Sequence, residues 1–154
     1  MILYLMLAFP VDGMRNKDLF VPPQKMKSYW CSQMNKMLKG KDFSSSQVAF
    51  ILTIGDNQGI SMKDVCSTLG ADKGLTTRVI RALTEKGLVE NRSESSRTYK
   101  LYLTEAGREA YELSTDVLGR ALEQLLEGLD EKDIEDLRRI TKKIERRIDD
   151  LYQY

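Results

Sequence analysis

The stretch from Ser61 to Thr104, SMKDVCSTLGADKGLTTRVIRALTEKGLVENRSESSRTYKLYLT, constrains what this chain can fold into more than any other. It reads as two short helices, a tight turn and a β-hairpin. Ser61 and Asp64 stand at capping-box spacing, and Ile60 and Val65 flank them as a hydrophobic staple, so a helix starts here. Met62, Val65 and Leu69 give it an apolar stripe. Gly70 can adopt the left-handed conformation that ends a helix.

The spacing predicts a second helix from near Asp72 to Gly87. Leu75, Val79 and Leu83 recur every fourth residue and are expected to share its buried face. Lys73, Thr77 and Arg81 recur in the same way on another face, with Gly74, Thr76 and Arg78 beside them. That outer face offers two hydroxyls and three cations on an element sized for a DNA major groove, where such groups meet phosphates and base edges. After Gly87, Leu88–Arg92 and Arg97–Leu103 are β-rich runs around a polar tip, Ser93-Glu94-Ser95-Ser96. Tyr99, Leu101 and Leu103 recur at period two, which reads as a hairpin. A helix-turn-helix followed by a hairpin is a winged helix, and Arg92, Arg97 and Lys100 put positive charge on the wing.

The run GLTTRVIRALTEKGLVENR, an Arg near the wing tip and then LYLTEAG resembles the MarR family of transcriptional regulators, most strongly over residues 60–110. The resemblance implies that the second helix is the recognition helix and that LTEAG opens a long helix after the wing. It also implies a homodimer on double-stranded DNA with a pseudo-palindromic operator. The family commonly carries Asp-x-Arg in the wing. Here those positions read Ser95-Ser96-Arg97, so the Arg is kept and the Asp is not.

Charge distribution agrees with this reading. The chain carries a net +1. Residues 61–104 hold eight Lys or Arg against five Asp or Glu, a net of +3, whereas residues 105–154 hold nine against fourteen, a net of −5. A basic module on an acidic scaffold is the asymmetry of a DNA binder. The chain has no His, so the commonest general base and transition-metal ligand is missing. Its two cysteines, Cys31 and Cys66, form no C-x-x-C pair, which argues against a structural metal site. No phosphate-cradling glycine loop follows a strand, and the carboxylates interleave with Lys and Arg on helix faces. These features point away from an enzyme, and no cofactor is expected. Few cysteines and no signal peptide suit a reducing cytoplasm. Thiol-based redox sensing is the alternative for the cysteines, and core packing is the preferred reading.

The flanking segments complete a single domain over residues 1–154. Residues 1–43 read as an N-terminal arm and first dimerisation helix, 44–104 as the winged helix-turn-helix lobe, and 105–154 as C-terminal dimerisation helices. Met1–Phe9 is apolar but too short to span a membrane. It is an arm on a partner subunit, a disordered extension, or an upstream extension if synthesis begins at Met14 or Met26; the arm is preferred. After Pro22-Pro23 a helix runs to about Lys39, with Met26, Tyr29, Trp30, Met34, Met37 and Leu38 on its apolar face. Ser44 or Ser45 caps a helix that is apolar almost all round, and Gly55–Gly59 is its turn. Ile60 can add one strand residue beside the wing. Thr104 caps a long helix, and Asp130 with Asp133 caps the last one, which carries Ile134, Leu137, Ile140, Ile144, Ile148 and Leu151. Stripes this wide suit a helical dimer interface.

The predicted fold is mostly α with a small β-hairpin: a winged helix-turn-helix lobe plus a helical dimerisation region. The predicted function is sequence-specific transcriptional regulation by a homodimeric repressor released by a small molecule. DNA contacts are assigned to Lys73, Gly74, Thr76, Thr77, Arg78, Arg81, Arg92, Arg97 and Lys100. The resemblance adds a small aromatic or lipophilic effector held by some of Tyr29, Trp30, Met34, Phe50 and Tyr111, residues that otherwise read as core. The competing reading is a winged-helix protein-interaction module without DNA specificity.

Overall fold

The computed structural model describes residues 21–93 and 98–152. The Met1–Phe9 segment, Glu94, Ser95 and Ser96 of the wing tip, and Arg97 lie outside them. Six helices and one two-stranded sheet occur among the described residues, in the order α1 (Pro23–Met37), α2 (Ser45–Asp56), α3 (Met62–Leu69), α4 (Lys73–Glu85), β1 (Val89–Asn91), β2 (Leu101–Leu103), α5 (Glu105–Leu126) and α6 (Glu131–Tyr152). The chain divides after Gly119 into two compact units.

The first unit is built around α2. Ile51 and Ile54 of that helix, Val65 of α3, Leu83 of α4 and Leu101 of β2 have no exposed surface, and Phe50, Ile80, Val89 and Leu103 nearly none. They form one continuous core with Met34 and Leu38 from the α1 end. Full burial of such a side chain is worth roughly 1.5–3 kcal/mol, which makes α2 the element the others are ordered upon. The start of α2 is tied to the end of α4: Gln47 Oε1 accepts from the Ser44 N–H at 3.1 Å and from Lys86 Nζ at 3.2 Å.

The local signals place the helix ends. Ser61 Oγ accepts the Asp64 N–H at 3.1 Å, and Gly70 closes α3 at φ 59°. The second half of the expected capping box differs: the Asp64 carboxylate accepts from the Ser61 hydroxyl at 2.7 Å. Asp72 Oδ1 accepts the Leu75 N–H at 2.8 Å and starts α4. The helix α2 runs to Asp56, through the first two residues of the expected turn.

The strands pair antiparallel with Val89 opposite Leu103 and Asn91 opposite Leu101. Ile60 bridges Leu101 as a lone extra strand residue, in line with expectation. Gln58 Oε1 also accepts the Leu103 N–H at 3.1 Å, so β2 is held from both sides. At the start of α5, Thr104 Oγ1 accepts the Gly107 N–H at 3.0 Å and donates to the Gly87 carbonyl at 2.6 Å.

The second unit holds the rest of α5 and all of α6. Asp130 Oδ1 accepts the Asp133 N–H at 2.8 Å, and Asp133 Oδ2 accepts the Asp130 N–H at 3.2 Å, which completes the reciprocal cap expected there. No residue of α6 is buried. Leu137, Ile140, Ile144, Ile148 and Leu151 are all exposed, at steps of three and four.

Candidate nucleic-acid interface

The helix α4 is fixed in phase by two independent devices. The Asp72 cap sets its first turn, and Thr76, Ile80 and Leu83 are its buried residues. Everything else in its first two turns faces outwards or is only partly covered. Lys73, Gly74, Leu75, Thr77, Arg78 and Arg81 are exposed. Thr77 Oγ1 donates to the Lys73 carbonyl at 2.7 Å, so its hydroxyl offers acceptor lone pairs and a methyl group outwards. Arg81 is paired with Glu85, Nε to Oε1 at 2.8 Å, in the open. An exposed pair of this kind is worth little and can exchange for a phosphate. Lys73 and Arg78 have no ion-pair partner among the described residues.

Two expectations for α4 are corrected. Thr76 does not lie on the outer face: it is fully buried, its hydroxyl donates to the Asp72 carbonyl at 3.0 Å, and Cys66 Sγ donates to it at 3.2 Å. It ties α4 to α3 and has no surface for a base or phosphate. Leu75, expected on the buried face, is 36% exposed. Both errors are one error of phase. The stripe 75–79–83 and the stripe 76–80–83 both have helical spacing, and the cap together with the turn after Gly70 selects the second. Ile80 was the available signal, since the first stripe leaves that residue in solvent.

The wing base is stiff. Asn91 Oδ1 accepts the N–H groups of Ser93 at 3.1 Å and Lys100 at 2.9 Å, and the Arg92 N–H donates to the Lys100 carbonyl at 2.9 Å. Ser93 and Thr98 hydroxyls meet at 2.7 Å across the two arms. The Arg92 guanidinium is bound to Glu90 at 2.5 Å and lies 4.7 Å from the centroid of the Tyr102 ring. Arg92 therefore braces the wing base as well as adding charge to it. Lys100 and Tyr99 are exposed.

The aromatic and apolar set assigned to an effector is mostly structural. Met34 and Phe50 are buried in the core, and Tyr111 packs at its edge. The Tyr111 hydroxyl donates to Asp56 at 2.6 Å while its ring lies against the backbone of Gly55, where a Cβ would meet Cδ2 at 2.1 Å. The hydrogen bond to Asp56, with burial and the negative charge of that carboxylate, raises the Tyr111 pKa above the usual tyrosine value. Tyr29 and Trp30 form an edge-to-face pair with centroids 5.6 Å apart. Trp30 is buried, and its indole N–H has no hydrogen-bond partner among the described residues. Cys31 is exposed and Cys66 half-buried; both are free thiols. No group of three His, Cys, Asp or Glu among the described residues could hold a metal, and no described helix is long and apolar enough to cross a membrane.

A capped helix pair followed by a braced hairpin, all set on a buried central helix, is a winged helix-turn-helix. Comparison with known proteins narrows this. Residues 41–97 match the sequence model of the MarR family. The transcriptional repressor MprA of Escherichia coli (strain K12) is 27% identical over 132 residues, which cover 83% of this chain and 75% of that protein. The crystal structure of MarR superposes with a TM-score of 0.74 at 23% identity, covering 96% of this chain and all of that one. FabT of Streptococcus pneumoniae, solved in complex with DNA, superposes with a TM-score of 0.67 at 24% identity, covering 83% of this chain and 92% of its own. Sequence and fold together liken this chain to the MarR family of transcriptional regulators: the family model matches its winged-helix region, and the solved regulators share its fold.

Proposed function

We propose that the protein is a sequence-specific DNA-binding transcriptional repressor that acts as a homodimer. The observation that carries this is the outward face of α4. Lys73, Thr77 and Arg78 project from a helix whose phase is locked by a cap and a buried stripe, and no carboxylate among the described residues holds Lys73 or Arg78. Arg78 donates to base edges, Thr77 accepts from them, and Lys73 and Arg81 meet phosphates. Lys100, Arg97 and the braced Arg92 bring the wing to the adjacent minor groove, where Arg prefers narrow A/T-rich segments. MprA is named a repressor and FabT was solved on DNA, which supports the same role here.

The exposed stripe of α6 supports the dimer. Five large apolar side chains at helical spacing would bury against a second copy, and two α4 helices about 34 Å apart would then read successive major grooves of an inverted repeat. The buried Trp30 N–H, without a partner among the described residues, supports a small effector with an acceptor group, because an unmet buried donor gains most from one. By this reading Tyr29 and Trp30 contact it, and Met34, Phe50 and Tyr111 shape the wall behind. Effector binding alters the spacing of the two lobes and releases the operator.

Selection of bound sequences from a random duplex pool, followed by salt titration on the winner, tests the reading. An enriched inverted repeat with a steep negative salt slope is expected. Arg78→Ala should abolish the preference, whereas Arg97→Ala should weaken all sequences alike and flatten the slope. Equal losses for Arg78→Ala on operator and random DNA would refute the base-reading role. No binding at low salt would leave a protein-interaction module.

A further inference from the structure

Leu75 keeps 36% of its surface exposed, and its position on the helix is fixed. The Asp72 carboxylate holds the Leu75 N–H at 2.8 Å, and Thr76 beside it is completely buried, so α4 cannot rotate to bring Leu75 into the core. Leu75 is the third residue of α4, in the turn that leads a recognition helix into the groove. Gly74 precedes it without a Cβ, and the one atom within 4 Å of where that Cβ would stand is Asp72 Oδ1. The first turn therefore presents a partly exposed apolar side chain beside a position without a Cβ. Lys73 and Arg78, both exposed, flank it.

We infer that Leu75 is a specificity-determining residue that reads the 5-methyl group of one thymine in each half-site. This rests on the DNA-binding role proposed above. The chemistry leaves little choice of target. A leucine side chain neither donates nor accepts hydrogen bonds, and the thymine methyl is the apolar feature of the major-groove edge. Against cytosine, the same side chain would cover an N4 amino group and leave it without a partner, so the contact selects by penalty as well as by attraction. Lys73 and Arg78 anchor the turn on either side and fix which base pair Leu75 meets.

The test uses the duplex that the wild-type protein enriches from a random pool, with its thymines replaced by uracil one symmetric pair at a time. Uracil removes the methyl and keeps every hydrogen-bonding group. One symmetric pair should weaken wild-type binding by about fourfold per methyl removed. Leu75→Ala should bind the thymine and uracil duplexes equally at that pair, and Leu75→Met should keep the discrimination. Both substitutions suit an exposed helical site, and circular dichroism verifies that they fold. If no thymine pair is sensitive, or if Leu75→Ala is as sensitive as wild type, the inference is wrong while the DNA-binding role stands. If no sequence is enriched at all, both fall together.

Discussion

Gly107 is the glycine of the LTEAG motif, and replacing it with alanine should destabilise the lobe even though it lies in a helix. A Cβ there would stand 2.0 Å from the Leu88 carbonyl oxygen, 3.0 Å from its carbon and 3.2 Å from Leu103 Cβ. The first two are backbone atoms, which cannot swing aside. That carbonyl also accepts the Thr104 N–H at 3.1 Å, and the Thr104 hydroxyl donates to Gly87 at 2.6 Å. Relief therefore requires α5 to move by about an ångström away from β1, against cores that tolerate little overpacking. Overpacking of this kind costs about 1–3 kcal/mol. Losing two hydrogen bonds adds about 1 kcal/mol each, and the helix propensity of alanine returns about 1 kcal/mol. The expected net loss is about 2–4 kcal/mol, read as a fall in the urea midpoint at fixed protein concentration with an unchanged slope. Gly119→Ala in the same helix is the control: nothing lies within 4 Å of its Cβ position, so it should gain about 1 kcal/mol. If Gly107→Ala is as stable as wild type, the close approach of α5 to β1 does not hold the wing to the lobe.

Thr76→Val keeps the shape of a buried side chain and removes its hydroxyl; it should cost about 1 kcal/mol of stability and leave DNA sequence preference unchanged, as measured by denaturation and by repeat selection. Lys73→Ala should weaken binding similarly on all sequences and reduce the slope of log affinity against log salt by about one unit. Tyr111→Phe should lower stability at neutral pH by removing the bond to Asp56. Because the folded-state pKa of Tyr111 is raised, its contribution is complete below the ordinary tyrosine value of about 10 and is lost as pH rises through the folded value. The gap between wild type and Tyr111→Phe should therefore be constant through neutral pH and close only in that alkaline window.

Most of the fold was legible because its signals are local. The caps at Ser61, Thr104 and Asp130 each rest on one side chain answering one backbone group a few residues away, and each appears where the spacing put it, while the helix expected to start near Asp72 does so on a cap from that residue. The left-handed Gly70 and the single bridge at Ile60 are legible for the same reason. What sequence could not supply is whatever depends on a neighbour far along the chain. The closure of Gly107 onto Leu88, the grip of Gln58 on Leu103 and the link from Lys86 to Gln47 all pair residues that no pattern associates. Arg92 shows the same limit in the site itself: its charge was evident, but its stacking on Tyr102 came only with the register of the hairpin.

The phase of α4 shows how much turns on such a distant contact. Successive residues on a helix point about 100° apart, so exchanging Leu75 for Thr76 on the buried stripe swaps a hydroxyl for an aliphatic side chain on the outer face. Periodicity alone fits both stripes, and only Ile80, which the first stripe leaves in solvent, favours the second. The Asp72 cap sets the phase, and the buried Thr76 hydroxyl is met twice: it donates to the Asp72 carbonyl at 3.0 Å and accepts from the Cys66 thiol of α3 at 3.2 Å. A polar residue that would be costly to bury alone is thereby accepted into the lobe, and the leucine beside it is turned outwards. A winged helix can in this way change what its recognition helix reads through a substitution on the preceding helix, here at the half-buried Cys66.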